Sequence, residues 1–306
     1  MSLVINHNLM AMNAARNLST AYSDLASSTE KLSSGLRINS AADDAAGLAI
    51  RELMRADIAS LNQGVRNAND AISMIQTADG ALQVIDEKLI RMKELAEQAA
   101  TGTYTSDQRL IIDSEYQAMA SEITRIANAT DFNGIQLLNG NLSSGTAGAA
   151  NWAGSHVGSG LSASGPLKVH FGTANDSAED YYYIAINNST ASALGVGNQA
   201  ATDSAGYTVS TQSAAQNALT GLNEAILSKD NIRANLGALQ NRLENTISNL
   251  EIQAENLQAA ESRISDVDVA TEMTEFTRNQ IKSQAAVAML AQANSLPQMA
   301  MQLIGG

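Results

Sequence analysis

The side chains in this sequence that could carry chemistry are few and poorly placed for it. Adjacent carboxylates at Asp43-Asp44 come closest to an acid–base pair. Neighbouring residues on a helix do not face each other, however, and acids at a helix start favour its macrodipole. They read as helix-start residues, with Ser40 and Asp43 as a capping pair. His7, His156 and His170 lie far apart without metal-ligand spacing. Gly160-Leu161-Ser162-Ala163-Ser164 approaches a nucleophile elbow but lacks the final glycine. No phosphate loop ending in Gly-Lys-Ser/Thr occurs. Cysteine is absent, which excludes disulfides, thiolate zinc sites and thiol catalysis. Met10, Met12, Met289, Met299 and Met301 read as adaptable packing at contacts between subunits, not as redox ligands. Neither an enzyme, nor a cofactor, nor a metal site is expected.

Charge and composition narrow the remaining classes. A formal charge of −13 leaves no basic stripe to release counterions from a polyanion, so neither nucleic acid nor an anionic membrane surface is an expected partner. No apolar run is long enough for a membrane span. Met1 to Thr20 has no cationic start and is interrupted by Asn6, His7, Asn8 and Asn13, which argues against a cleaved secretory signal. The chain is 44% hydrophobic but only 4% aromatic. Its apolar content is therefore Ala, Leu, Ile, Val and Met, residues suited to helices packed side by side.

The elements follow from spacing. The only prolines are Pro166 and Pro297, so long helices are allowed on both sides of the middle. Leu18, Tyr22, Leu25, Thr29, Leu32 and Leu36 alternate steps of four and three, the seam of one helix lying along another. After a break at Gly35 to Asn39, a second helix is predicted from about Asp44 to Ala99, on the order of 80 Å long. Its seam runs through Ile58, Leu61, Val65, Ala68, Ile72 and Ile75, then Leu82, Ile85, Leu89 and Met92. A third helix, to about Ala129, places Leu110, Asp113, Tyr116, Ala120, Ile123 and Ala127 on one face. Asn133-Gly134 signals a tight hairpin, and strands are predicted at Leu167 to Phe171 and Tyr181 to Ile186. Leu236, Leu243, Leu250, Leu257 and Ile264 recur every seven residues, which marks helix-on-helix packing. A last helix, about Val267 to Leu303, is expected to bury Ile281, Ala285, Met289, Leu296 and Met299.

The expected fold is mainly α: a long antiparallel, coiled-coil-like rod formed by both chain ends, with a small β-rich, hairpin-containing middle. Twelve of the 21 glycines fall between Gly134 and Gly206, which locates that middle. Three parts are expected: residues 1–43 with 265–306 as terminal helices, 44–140 with 207–264 as the helical rod with its hairpin, and 141–206 as a short surface insertion with strands. The terminal helices lack a core of their own and are expected to order fully only against copies of the chain. Ile5, Leu9, Leu18, Tyr22, Leu25, Leu32, Ile281, Met289, Leu296, Met299 and Leu303 are the candidate subunit contacts.

Ile5-Asn6-His7-Asn8, Ser33-Ser34-Gly35-Leu36-Arg37-Ile38-Asn39, Ala41 to Ile50 and Phe132-Asn133-Gly134 resemble bacterial flagellin. So do Glu261-Ser262-Arg263-Ile264, Asp268-Val269-Ala270 and Met289 to Asn294. The resemblance spans residues 1–140 and 207–306. It implies a homopolymer, the flagellar filament, with terminal helices as its inner core, or alternatively a hook-associated junction protein. It also implies type III export to an extracellular flagellum, an export chaperone, a filament cap and hook-junction proteins. Leu89 to Ala96 looks like the helix that Toll-like receptor 5 recognises, with Arg91, Leu95 and Glu115 at matching contacts, although Lys93 and Glu97 depart from the common pattern. Family members are sometimes O-glycosylated, for which Ser143, Ser144, Ser155 and Ser159 are candidates.

Overall fold

A proline-free stretch with apolar residues every three or four positions can propagate one helix for many turns, and two such stretches dominate this chain. The computed structural model describes residues 8–143, 165–176, 179–197 and 208–304. Its helices are α1 (Leu9–Ser34), α2 (Ala45–Ala100), α3 (Ser106–Ala129), α4 (Gln212–Ser265) and α5 (Val269–Ile304). The strands are β1 (Asp131–Phe132), β2 (Ile135–Gln136), β3 (Leu167–His170) and β4 (Tyr181–Ile184). The mainly α class with a small β middle is as expected. The chain divides into two compact units, residues 59–253 and residues 1–58 with 254–306.

In the middle unit, residues 59–253, the core follows the predicted seams. Leu82, Ile85, Leu89 and Met92 of α2 are fully buried with Tyr116 and Ile123 of α3 and Leu222 of α4, and the heptad residues Leu236 and Leu243 join the same cluster. Leu110 is an exception: it is exposed and Ile112 is buried instead. At about 100° per residue, position 110 lies well off the face that carries Tyr116, whereas 112 lies close to it. Local bonds set the α3 boundaries. Thr105 and Gln108 form a reciprocal capping box at its start, and Arg109 donates to Ala99 O and Thr101 O at 2.9 Å each, closing the end of α2. Asn133 and Gly134 adopt φ of 51° and 80°, the left-handed pair that a two-residue hairpin turn requires.

Two charged pairs cross between α2 and α4. Lys229 Nζ lies 2.6 Å from Asp86 Oδ1 and 2.7 Å from Asp230 Oδ1, and Arg233 Nε lies 2.7 Å from Asp79 Oδ1. Asp79 and Asp86 are one heptad apart, so both acids lie on the same side of α2.

Where residues 141–206 are described, part of them contributes side chains to the core. Leu142, Val169, Ile184, Ile186, Ala191, Leu194 and Val196 belong to the same core as the helices. β3 and β4 pair antiparallel from Leu167↔Ile184 to His170↔Tyr181, shorter than predicted because the flanking amides bond elsewhere. Phe171 N and Gly172 N both donate to Asp180 O, and Ile186 N donates to Leu142 O. The hairpin docks on α2 at Gly64, where a Cβ would lie only 2.1 Å from Phe171 O, and Asn67 Nδ2 donates to His170 O at 2.8 Å. Gly64→Ala is therefore expected to lift the hairpin and destabilise the middle unit by about 1–3 kcal/mol. Hydrogen exchange should rise at residues 167–184, and unchanged exchange there would refute close docking.

Candidate functional site

The terminal unit, residues 1–58 with 254–306, pairs α1 with α5. The pairing is antiparallel, because Asn8 Nδ2 donates to Ala293 O at 2.7 Å while Val267 N donates to Gly35 O at 3.0 Å at the other end. Asn8 also caps α1, its Oδ1 accepting from Ala11 N. At the opposite end Gly35 takes a left-handed C-cap conformation, and Arg37 donates from its backbone N to Ser265 O and from Nη2 to Ile264 O, each at 2.6 Å.

Between these ends the seam mixes leucines and one phenylalanine with small and polar residues. On α1 the less exposed positions are Ala11, Ala14, Leu18, Ala21, Leu25, Ser28 and Leu32. On α5 they are Phe276, Asn279, Ser283, Ala286, Leu290 and Ala293. The predicted α1 seam thus holds at Leu18, Leu25 and Leu32, but Ala21 and Ser28 take the places assigned to Tyr22 and Thr29. Tyr22 is more than half exposed.

Many of the remaining large apolar side chains lie on the outer surface. Leu9, Met12, Tyr22, Val269, Met273, Val287 and Met299 are exposed, with Ile281 at 61% and Met289 at 67%. Met273, Thr277, Ile281, Ala285 and Met289 follow one another at intervals of four, an exposed stripe along α5. The expectation that α5 buries Ile281, Ala285, Met289 and Met299 is therefore overturned for the single chain: each helix has one neighbour to cover it, and on α5 that contact uses Phe276, Leu290 and the small or polar residues between them. Ile5 and the side chains of Leu296 and Leu303 lie outside the described residues.

The helix start that precedes α2 is also shifted from expectation. Asp43 Oδ2 accepts from Asn39 N, Ser40 N and Ser40 Oγ, and these bonds hold its carboxyl below the usual range. That pair closes a turn, and the capping role falls to Asp44, whose Oδ1 accepts from Ala46 N and Gly47 N.

On the middle unit, Arg91 donates to Glu115 Oε1 from Nε at 3.0 Å and Nη2 at 2.8 Å, and to Glu94 Oε2 at 2.9 Å. Arg91 and Glu115 are accessible. Leu95 is not: at 2% exposure it belongs to the core, on the α2 face that carries Met92 and Leu89, so its side chain cannot meet a partner in this packing. Ser143 is partly buried, its N donating to Gly140 O, while Ser144, Ser155 and Ser159 lie outside the described residues. Among the described residues no cluster of acids and histidines could hold a metal, and no helix is long and apolar enough to cross a membrane.

Two helices that pair through only part of their apolar residues, leaving others such as Tyr22, Ile281 and Met289 outward, present a surface suited to cover by further helices. Residues 5–143 match the bacterial flagellin N-terminal helical region and residues 219–304 the C-terminal helical region. The chain is 45% identical over 306 residues to a flagellin of Bacillus subtilis, covering 98% of this chain and 99% of that one. It is 41% identical over 306 residues to a flagellar filament 33 kDa core protein of Treponema phagedenis, covering 99% and 100%. A solved structure described as a flagellar hook-associated protein of Vibrio parahaemolyticus matches 73% of this chain and 100% of its own, with a TM-score of 0.53 at 13% identity, a likeness of fold alone. The chain belongs to the bacterial flagellin family.

Proposed function

We propose that this chain is the structural subunit of a bacterial flagellar filament, polymerising with itself and serving motility. The observation that carries this reading is the outward apolar surface of α1 and α5. Covering the exposed part of each large side chain contributes roughly 1 kcal/mol, and a lattice of copies covers many at once. In this reading the subunit is exported through the flagellar type III apparatus, held before export by a chaperone on its C-terminal segment, and assembled outside the cell between hook-junction proteins and a filament cap.

Seeded growth tests it. Purified subunit mixed with short sheared filaments should form pelletable polymer in proportion to seed number, and its helical circular dichroism should deepen as terminal helices order against neighbours. A subunit that never pellets, with or without seeds, would sink the filament reading. Growth that stops after one layer would instead favour the hook-associated role. Recognition by Toll-like receptor 5 would, on this packing, engage Arg91 and Glu115 without the Leu95 side chain.

A further inference from the structure

We propose that the exposed methionines of the terminal unit make assembly sensitive to oxidation: a peroxide converts them to sulfoxides on the free subunit and blocks its addition to a filament, whereas subunits already assembled are shielded. This rests on the filament reading above. Met10, Met12, Met273, Met289 and Met299 are all exposed, and all five lie in the terminal unit. In the middle unit Met74 and Met92 are buried and Met119 is partly buried. The oxidisable sulfur within reach of solvent is therefore concentrated on the surface that copies of the chain must cover.

The chemistry needs only hydrogen peroxide. A thioether lone pair attacks one peroxide oxygen, the O–O bond breaks, and the sulfur gains that oxygen while the other leaves, protonated, as water. Sulfur loses two electrons and the peroxide takes them. The chain has no cysteine, so no thiol of its own competes for the oxidant. The product is a polar acceptor where the parent was a flexible apolar side chain. Burying it against an apolar neighbour without a donor should slow addition on the order of tenfold per covered site. The sulfoxide is reversible by sulfoxide reductases, so the effect is a switch and not only damage.

The test compares seeded elongation of the full-length subunit before and after mild hydrogen peroxide, with oxidised positions mapped by peptide mass spectrometry. The expected result is sulfoxide at the five exposed positions but not at Met74 or Met92, elongation reduced at least tenfold, and recovery after the two epimer-specific sulfoxide reductases act with a dithiol. Preformed filaments treated alike should keep those five methionines unoxidised. In Met12→Leu/Met273→Leu/Met289→Leu, the ratio of treated to untreated elongation should rise well above that of the parent. Equal elongation of treated and untreated subunit, a variant ratio no better than the parent's, or equal oxidation in filament and free subunit would each overturn the inference and leave the filament reading intact. Failure of the untreated subunit to elongate would overturn both.

Discussion

Lys229→Ala is expected to destabilise the middle unit by about 3–5 kcal/mol, seen as a lowered midpoint in a thermal melt followed by circular dichroism. The Lys229 side chain is 2% exposed and its ammonium meets Asp86 and Asp230. Asp86 retains only 27% of its exposure, so truncation leaves a carboxylate without its cation in a poorly hydrated place. Truncation also empties the space filled by the lysine's methylenes. The double variant Lys229→Met/Asp86→Leu removes both charges at similar volume and should return close to the parent or above it. A single variant within about 0.5 kcal/mol of the parent, the ordinary spread of surface substitutions, would show that the pair contributes little. The pair also specifies register: sliding α2 by one heptad would bring Asp86 to Arg233 and leave buried Lys229 without an α2 partner.

Ile281→Asp should leave the isolated chain folded yet reduce seeded elongation on the order of a hundredfold or more, since an unpaired carboxylate pressed into an apolar contact costs several kcal/mol. The side chain is 61% exposed in the chain itself, so the fold should change by no more than about 0.5 kcal/mol. The two readouts separate, because melting tests the fold and sedimentation with seeds tests the contact. Ile281→Val, which keeps an apolar surface, should lose far less. Unimpaired growth of the aspartate variant would mean that this side of α5 stays in solvent in the polymer.

Periodicity reported the middle unit well because its partners lie within the same chain. The stripe through Leu236 and Leu243 and the seam through Leu82, Ile85, Leu89 and Met92 are buried as their spacing predicts. The same rule placed only part of the terminal unit. Spacing arguments give the largest apolar residues to the nearest available neighbour, and in α1 and α5 that neighbour takes Ala21, Ser28, Asn279 and Ser283 alongside Leu18, Leu25, Leu32, Phe276 and Leu290. Tyr22, Ile281 and Met289 could be seen as apolar but not as outward-facing, because that distinction depends on which partner is present. Other features left no periodic trace. Gly64 matters through the side chain it lacks, and Lys229 resembles any solvated cation until a facing helix covers it. The core role of Val169, Ile184 and Ile186 could not be read from a glycine-rich stretch, since only the docked hairpin brings them to the helices.

The fastening of α1 to α5 has a mechanical consequence. Asn8 ties one end of α1 to Ala293 of α5, while at the other end Gly35 and Arg37 bond Val267 in the link before α5 and Ile264 and Ser265 at the end of α4. Between these ends Leu18, Leu25, Leu32, Phe276 and Leu290 alternate with alanines, serines and an asparagine along the seam. Under an axial load such a pair behaves as a beam pinned at both ends. The end bonds are loaded together, so the pair should hold its length until they fail and then slip in one step instead of creeping.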